Sequence, residues 1–205
     1  VEPPLWDWLG EPLAIDFANT TRRRGAVQHE LLLGGDDVAT WAQRQAGRVP
    51  AVAPRTAAGR LEEIRAARDD VQAVLHAAAD GAPLPPRAAA RLNARARAMP
   101  VVGQLGRRPG ELGLAATADL SPVDELLARV AAATIALVGG APADAVRFCD
   151  APSCGQFFAP QRPNQRWCGP ACGTRARVAR HAAHRRETPS SVDDRPRGRR
   201  SARPG

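Results

Sequence analysis

CDAPSC (149–154) and CGPAC (168–172) hold every cysteine of the chain. Four residues separate Cys149 from Cys154, three separate Cys168 from Cys172, and thirteen lie between the pairs. Two close pairs on a short spacer let four thiolates converge on one tetrahedral zinc. Two disulfides are the alternative; a reducing compartment favours the metal. Neither pair is C-x-x-C, and four sulfur ligands leave no open position for a substrate. The expectation is therefore one structural Zn²⁺ held by Cys149, Cys154, Cys168 and Cys172.

Working outward, Pro152 sits in the first pair as in a tight knuckle. Gln156–Ala159 and Gln165–Trp167 flank PQRPN and are expected to pair as a hairpin. Cys168 and Cys172 share one face if a helix begins there, with Pro170 in its first turn. Knuckle, hairpin and helix start make a treble-clef-like plan, with Phe157, Phe158 and Trp167 as its small core. The helix continues as CGTRARVARHAAHRR. Arg177, Arg180, His181 and His184 fall on one polar face, and Val178, Ala179 and Ala182 are expected to face the zinc core. Arg166, Arg175, Arg185 and Arg186 widen the basic surface. Such a helix suits the DNA major groove, Arg being read against guanine edges and phosphate.

Charge marks the same segment. The chain has 205 residues and a formal net charge of +8. Residues 1–148 carry 17 Arg and 17 Asp+Glu; residues 149–205 carry 12 Arg and 4 Asp+Glu. A four-thiolate zinc site is −2, so the segment stays at about +6. All 29 basic residues are Arg, as in a GC-rich genome. Base composition explains Arg over Lys; it does not explain why acids are scarce only around the cysteines. A basic segment beside a neutral domain points to a polyanion, most often nucleic acid.

The remainder reads as one ordinary domain. PLAIDFANT is a short apolar helix or strand, and RRRGAVQHELLLGG a turn-rich connection. DDVATWAQRQAG is a helix capped by Asp36 or Asp37. A long helix is expected from Arg55 to Asp80, with Leu61, Ile64, Ala67, Arg68, Val71, Val74 and Leu75 as its stripe. PLPPRAAARLNARARAM gives a shorter helix, and VVGQLGRRPGELGLAAT a β-hairpin. SPVDELLARVAAATIALVGG is a helix with Ser121 as N-cap. The tail after Glu187 is expected to be disordered. No apolar run is long enough to span a bilayer, and residues 1–10 do not read as a signal peptide, so a cytoplasmic protein is expected.

The motifs CDAPSCGQFF, RWCGPACGTR and ARVARHAAHRR resemble the CGNR zinc-finger proteins of bacterial transcription regulation. Thr174 stands where that family's name motif has Asn, while Cys172, Gly173 and Arg175 match. PLAIDFANT followed by DDVATWA resembles the start of the ABATE auxiliary domain. The resemblance implies an α+β chain: a mostly helical auxiliary domain with a small hairpin over 1–146, a treble-clef-like finger over 147–187, and a tail over 188–205. The chain is therefore expected to be a DNA-binding transcription regulator whose N-terminal domain senses a small-molecule effector or forms a homodimer, with no membrane partner.

Asp16, Asn19, Thr20 and Trp41 are the candidates for an effector pocket; helix capping and core packing are the alternative roles. Arg22, Arg23 and Arg24 form a short basic run. No nucleophile elbow, phosphate loop or HExxH is present, so no catalytic residue is assigned and no enzyme is expected. The competing classes are an RNA-binding module, which needs exposed Phe157, Phe158 and Trp167 for stacking, a protein-interaction scaffold, and an enzyme sited in the N-terminal domain.

Overall fold

LAIDFA is apolar at nearly every position, so it can be stable only where all sides are covered. It forms a short helix, α1 (Leu13–Ala18), and every one of its residues is buried. The computed structural model describes residues 10–187 apart from 25, 106, 110–111, 117 and 141–144. RRRGAVQHE, expected as a connection, contains a hairpin: β1 (Thr21–Arg24) pairs antiparallel with β2 (Val27–Glu30). Its strands are short and polar, so no alternation marks them. A tertiary contact anchors it instead, since the Glu30 carboxylate accepts from Arg68 Nη1 at 2.6 Å.

In α2 (Gly35–Arg44) the N-cap is Gly34 rather than an aspartate. Asp37 still serves the helix start, accepting the N–H groups of Leu33 and Gly34 at 2.8 Å. The long helix expected from Arg55 is two, α3 (Pro54–Gly59) and α4 (Leu61–Ala79). Pro54 opens the first, and the backbone leaves helical geometry at Arg60 (φ −123°, ψ 15°). Arg60 then bridges Glu63 and Asp124, tying two helices together. Of the expected stripe all but the partly buried Leu61 are buried.

After α5 (Pro86–Arg97), the expected hairpin is present as β3 (Val101–Leu105) and β4 (Leu112–Ala116). Ser121 caps α6 (Pro122–Gly139), accepting the Asp124 N–H at 3.3 Å. α1, α4, α5 and α6 surround the main core, and α2 and α3, packed together, add Val38, Trp41, Ala42 and Ala57 to it. Trp41 lies inside, 5.2 Å from the Phe17 ring.

The C-terminal part adds β5 (Arg147–Phe148), β6 (Phe157–Phe158) and α7 (Pro170–Glu187). The finger hairpin is thus 147–148 with 157–158; residues 165–167 form no strand. The tail after Glu187, expected to be disordered, lies outside the described residues.

The finger does not stand apart. Phe157 and Val146 belong to the main core, not to a separate zinc core. The Asn19 amide clamps β6: Nδ2 donates to the Phe157 carbonyl and Oδ1 accepts its N–H, each at 2.9 Å. Glu11 accepts the Ala159 N–H at 2.9 Å, and the Arg23 N–H donates to the Cys154 carbonyl at 3.3 Å. Gly155 has φ +68°, and a Cβ there would press on the Arg23 side chain at 2.9 Å. The His76 ring stands 4.6 Å from both Phe148 and Phe157.

Asn19→Ala leaves the Phe157 N–H and C=O unpaired at the seam. The expected cost is about 1–3 kcal/mol per group, read as a lower denaturant midpoint and faster hydrogen exchange at the Phe157 amide. Desolvation by its neighbours holds the His76 pKa below its ordinary value, with Asp80 partly opposing. The unfolded chain therefore binds the proton more readily. The stability from this packing is present at neutral pH and is lost as pH falls below about 6.5. His76→Phe should keep the ring contacts and remove that part of the acid sensitivity, as thermal melts across pH would show.

Candidate zinc centre and basic helix

The knuckle is made by backbone bonds. Cys149 N–H donates to the Gln156 carbonyl at 2.8 Å, Cys154 N–H to Ala151 at 3.0 Å, and Gly155 N–H back to Cys149 at 3.2 Å. Ser153 (φ 61°) and Gly155 take left-handed conformations to close the turn. Cys168 arrives from the loop just before α7, and Cys172 from the first turn of α7. The two are not on one helical face, because the helix starts at Pro170.

The four sulfurs lie within 4.8 Å of one another. Cys154–Cys168 is 3.6 Å and Cys168–Cys172 is 3.4 Å. A tetrahedron with Zn–S bonds of 2.3 Å needs sulfurs about 3.8 Å apart, so the set fits the metal. The charge chemistry agrees. Hydrogen bonds from Cys154 and Cys168 pull the Cys149 thiol down to about 2. The same interaction with Cys149 pushes Cys154 up to about 12, and Cys168 is raised as well. Four sulfurs this close need a divalent cation to be thiolates together. The cysteines hold one structural zinc. Around it pack Ala151, Phe158 and Ala176, with Trp167 partly buried.

Arg175 belongs to this centre. Its Nη2 donates to Cys172 Sγ at 2.9 Å. Its guanidinium offsets thiolate charge from outside the ligand shell, while Arg175, expected on the nucleic-acid face, stays exposed. Arg166 lies over the Trp167 ring at 5.3 Å. Arg177, Arg180, His181, His184 and Arg185 are all exposed along α7. Arg186 is in the helix, its side chain outside the described part. Val178, expected against the zinc core, is 63% exposed; Ala176 takes that place. Residue 176 lies one turn after Cys172, so the start of the helix sets the inward face.

Three of the four effector candidates have hydrogen-bond partners within the protein, whereas the buried Trp41 Nε1 has none. Asp16 is buried, accepting from the Gln45 amide and Arg48 at 3.1 Å each and from the Glu11 N–H at 3.2 Å. Burial raises its pKa against those bonds. The Thr20 hydroxyl donates to the Phe17 carbonyl at 2.8 Å, Asn19 holds β6, and Trp41 is core. The structure joins these four residues through α1 and its neighbours, with Asp16, Thr20 and Trp41 closed to solvent. Of the arginine run, Arg23 sits on the finger, its guanidinium 5.9 Å from the Phe148 ring centroid. Glu11, His76 and Arg147 were not singled out. Their partners lie 70 or more residues away or in a loop without regular structure, so no local pattern marks them.

A helical domain with small hairpins, fused to a four-cysteine centre with a basic helix, defines a two-part zinc-finger protein. Residues 11–141 match the ABATE family, described as "Putative stress-induced transcription regulator", and residues 146–185 match the CGNR zinc finger. The chain belongs to the ABATE family and carries a CGNR zinc finger. No curated protein matches it. Among the described residues no helix is long and apolar enough to cross a membrane.

Metal analysis should find one zinc per chain, with any single Cys→Ser change lowering it. Arg175→Ala should keep that stoichiometry and speed zinc loss to a chelator, about 10–100-fold if Arg175 supports the thiolates as other outer partners do. An unchanged release rate would leave Arg175 with no role at the metal.

Proposed function

We propose that the chain is a DNA-binding transcription regulator of the cytoplasm that acts without catalysis. One observation carries the reading: α7 holds the zinc ligand Cys172 in its first turn and presents Arg177, Arg180, His181, His184 and Arg185 to solvent. Cys172 anchors the first turn, so the metal holds the following basic side chains at a defined angle. Rigid placement of Arg is what base readout requires. The charge of the C-terminal segment supplies the attraction to phosphate.

The N-terminal domain is the platform that orients the finger through Asn19, Glu11 and Arg23. The β3–β4 hairpin supports self-association: Val101 and Val102 are exposed and Leu105 is 95% exposed. The burial of Phe157 and Phe158 removes two of the three stacking platforms that RNA binding required, which favours duplex DNA.

Selection from a random duplex library, at fixed salt and with zinc-loaded full-length protein, tests the proposal. A preferred sequence is expected. Arg180→Ala should cost about 1–3 kcal/mol on that sequence and flatten preference at one position. Equal losses on the preferred and a scrambled duplex would make α7 an electrostatic anchor, and the specific-regulator reading would fall.

A further inference from the structure

A second surface lies beside α7. Between the loop 161–167 and the first two turns of the helix runs an open groove of about 730 Å³. Arg162, Arg166 and Arg177 line it, with Trp167 and Thr174, and no carboxylate is among its lining residues. Among the described residues of the finger, 147–187, acids are few and none reaches this groove.

The groove is built rather than incidental. Arg147 braces the loop from behind, donating from Nη1 to the Gln165 carbonyl and from Nη2 to the Pro163 carbonyl, both at 2.8 Å. The Gln165 amide staples the loop to itself: Oε1 accepts the Gln161 N–H at 2.8 Å and Nε2 donates to the Trp167 carbonyl at 3.0 Å. The opposite wall is equally close-fitted. A Cβ on Gly173 would meet Trp167 Cδ1 at 3.2 Å, so the indole lies against the helix backbone. One wall is fixed by hydrogen bonds and the other by the zinc-anchored helix. A cationic groove with preformed walls pays little ordering entropy on binding an anion.

We infer that this groove seats the sugar–phosphate backbone of one strand of bound duplex DNA, with phosphates on Arg162 and Arg166 and the sugar edge against Trp167. This rests on the DNA-binding reading above and extends it. α7 would read bases while the groove sets register, the usual division between base and backbone contacts. Arg166 is free to serve because its hold on Trp167 is a surface cation–π contact, which costs little to exchange. Thr174, an exposed residue, lines the groove where the name motif has Asn, and its hydroxyl offers a donor to a phosphate oxygen.

The test uses full-length zinc-loaded protein, a preferred and a scrambled duplex, a single strand of the preferred sequence, and one salt series. The double variant Arg162→Ala/Arg166→Ala should lose affinity for both duplexes alike, and its salt slope should fall by about two. Thr174→Asp places a carboxylate on the groove lining in the second turn of α7. It should weaken both duplexes at least about tenfold at low salt, with zinc content unchanged. Groove variants that bind duplex like the wild type, while Arg180→Ala binds less, would overturn the groove and leave the DNA reading standing. Loss confined to the single strand would overturn it in favour of capture of an unpaired strand. No salt-dependent binding of any duplex by the wild type would bring down both.

Discussion

Two hydrogen bonds between the Asn19 amide and the Phe157 backbone decide how the two parts of this protein relate. Asn19 pairs with β6 as a neighbouring strand would, using the end of α1 in place of a strand. With that pair made, Phe157 must face the main core, and Phe158 must face the zinc. Adjacent residues of a strand point to opposite sides, so one two-residue strand joins both cores. A finger of this size has too little apolar surface to stand alone. The metal and the helical platform both contribute.

The zinc centre extends beyond its four sulfurs. Arg175 neutralises one thiolate and Phe158 and Ala176 cover the set. A site of charge −2 inside a basic segment gains from the surrounding arginines, and their attraction to phosphate is reduced only slightly in return. Arg175 and Arg177 show the division. They are two residues apart on one helix, yet one turns to the metal and the other to the groove. Helical geometry, not composition, assigns the two roles.

The polar residues of PLAIDFANT illustrate why residue type alone does not name a site. Asp16, Asn19 and Thr20 have the chemistry of a ligand pocket, and each has a partner within the protein. Asp16 ties α1 to Gln45 and Arg48, Thr20 closes the helix end, and Asn19 holds the finger. Most buried polar groups are paired, and these three are, although the neighbouring Trp41 Nε1 is not. Thr20 finds its partner three residues away, whereas Asp16 and Asn19 also reach groups far along the chain, Gln45, Arg48 and Phe157.

The sequence by itself determined the zinc ligands, the helical periodicity of α4 to α6, the β3–β4 hairpin and the basic face of α7. Each is a local pattern: ligand spacing, a repeat near 3.6, or a Gly/Pro turn between alternating residues. Tertiary structure alone decided the β1–β2 hairpin, the break at Arg60, the pairing of β5 with β6, and the tasks of Asn19, His76, Arg147 and Arg175. Those depend on groups brought together across the fold. The Asn19–Phe157 pair spans 138 positions, and no window along the chain contains both of its members.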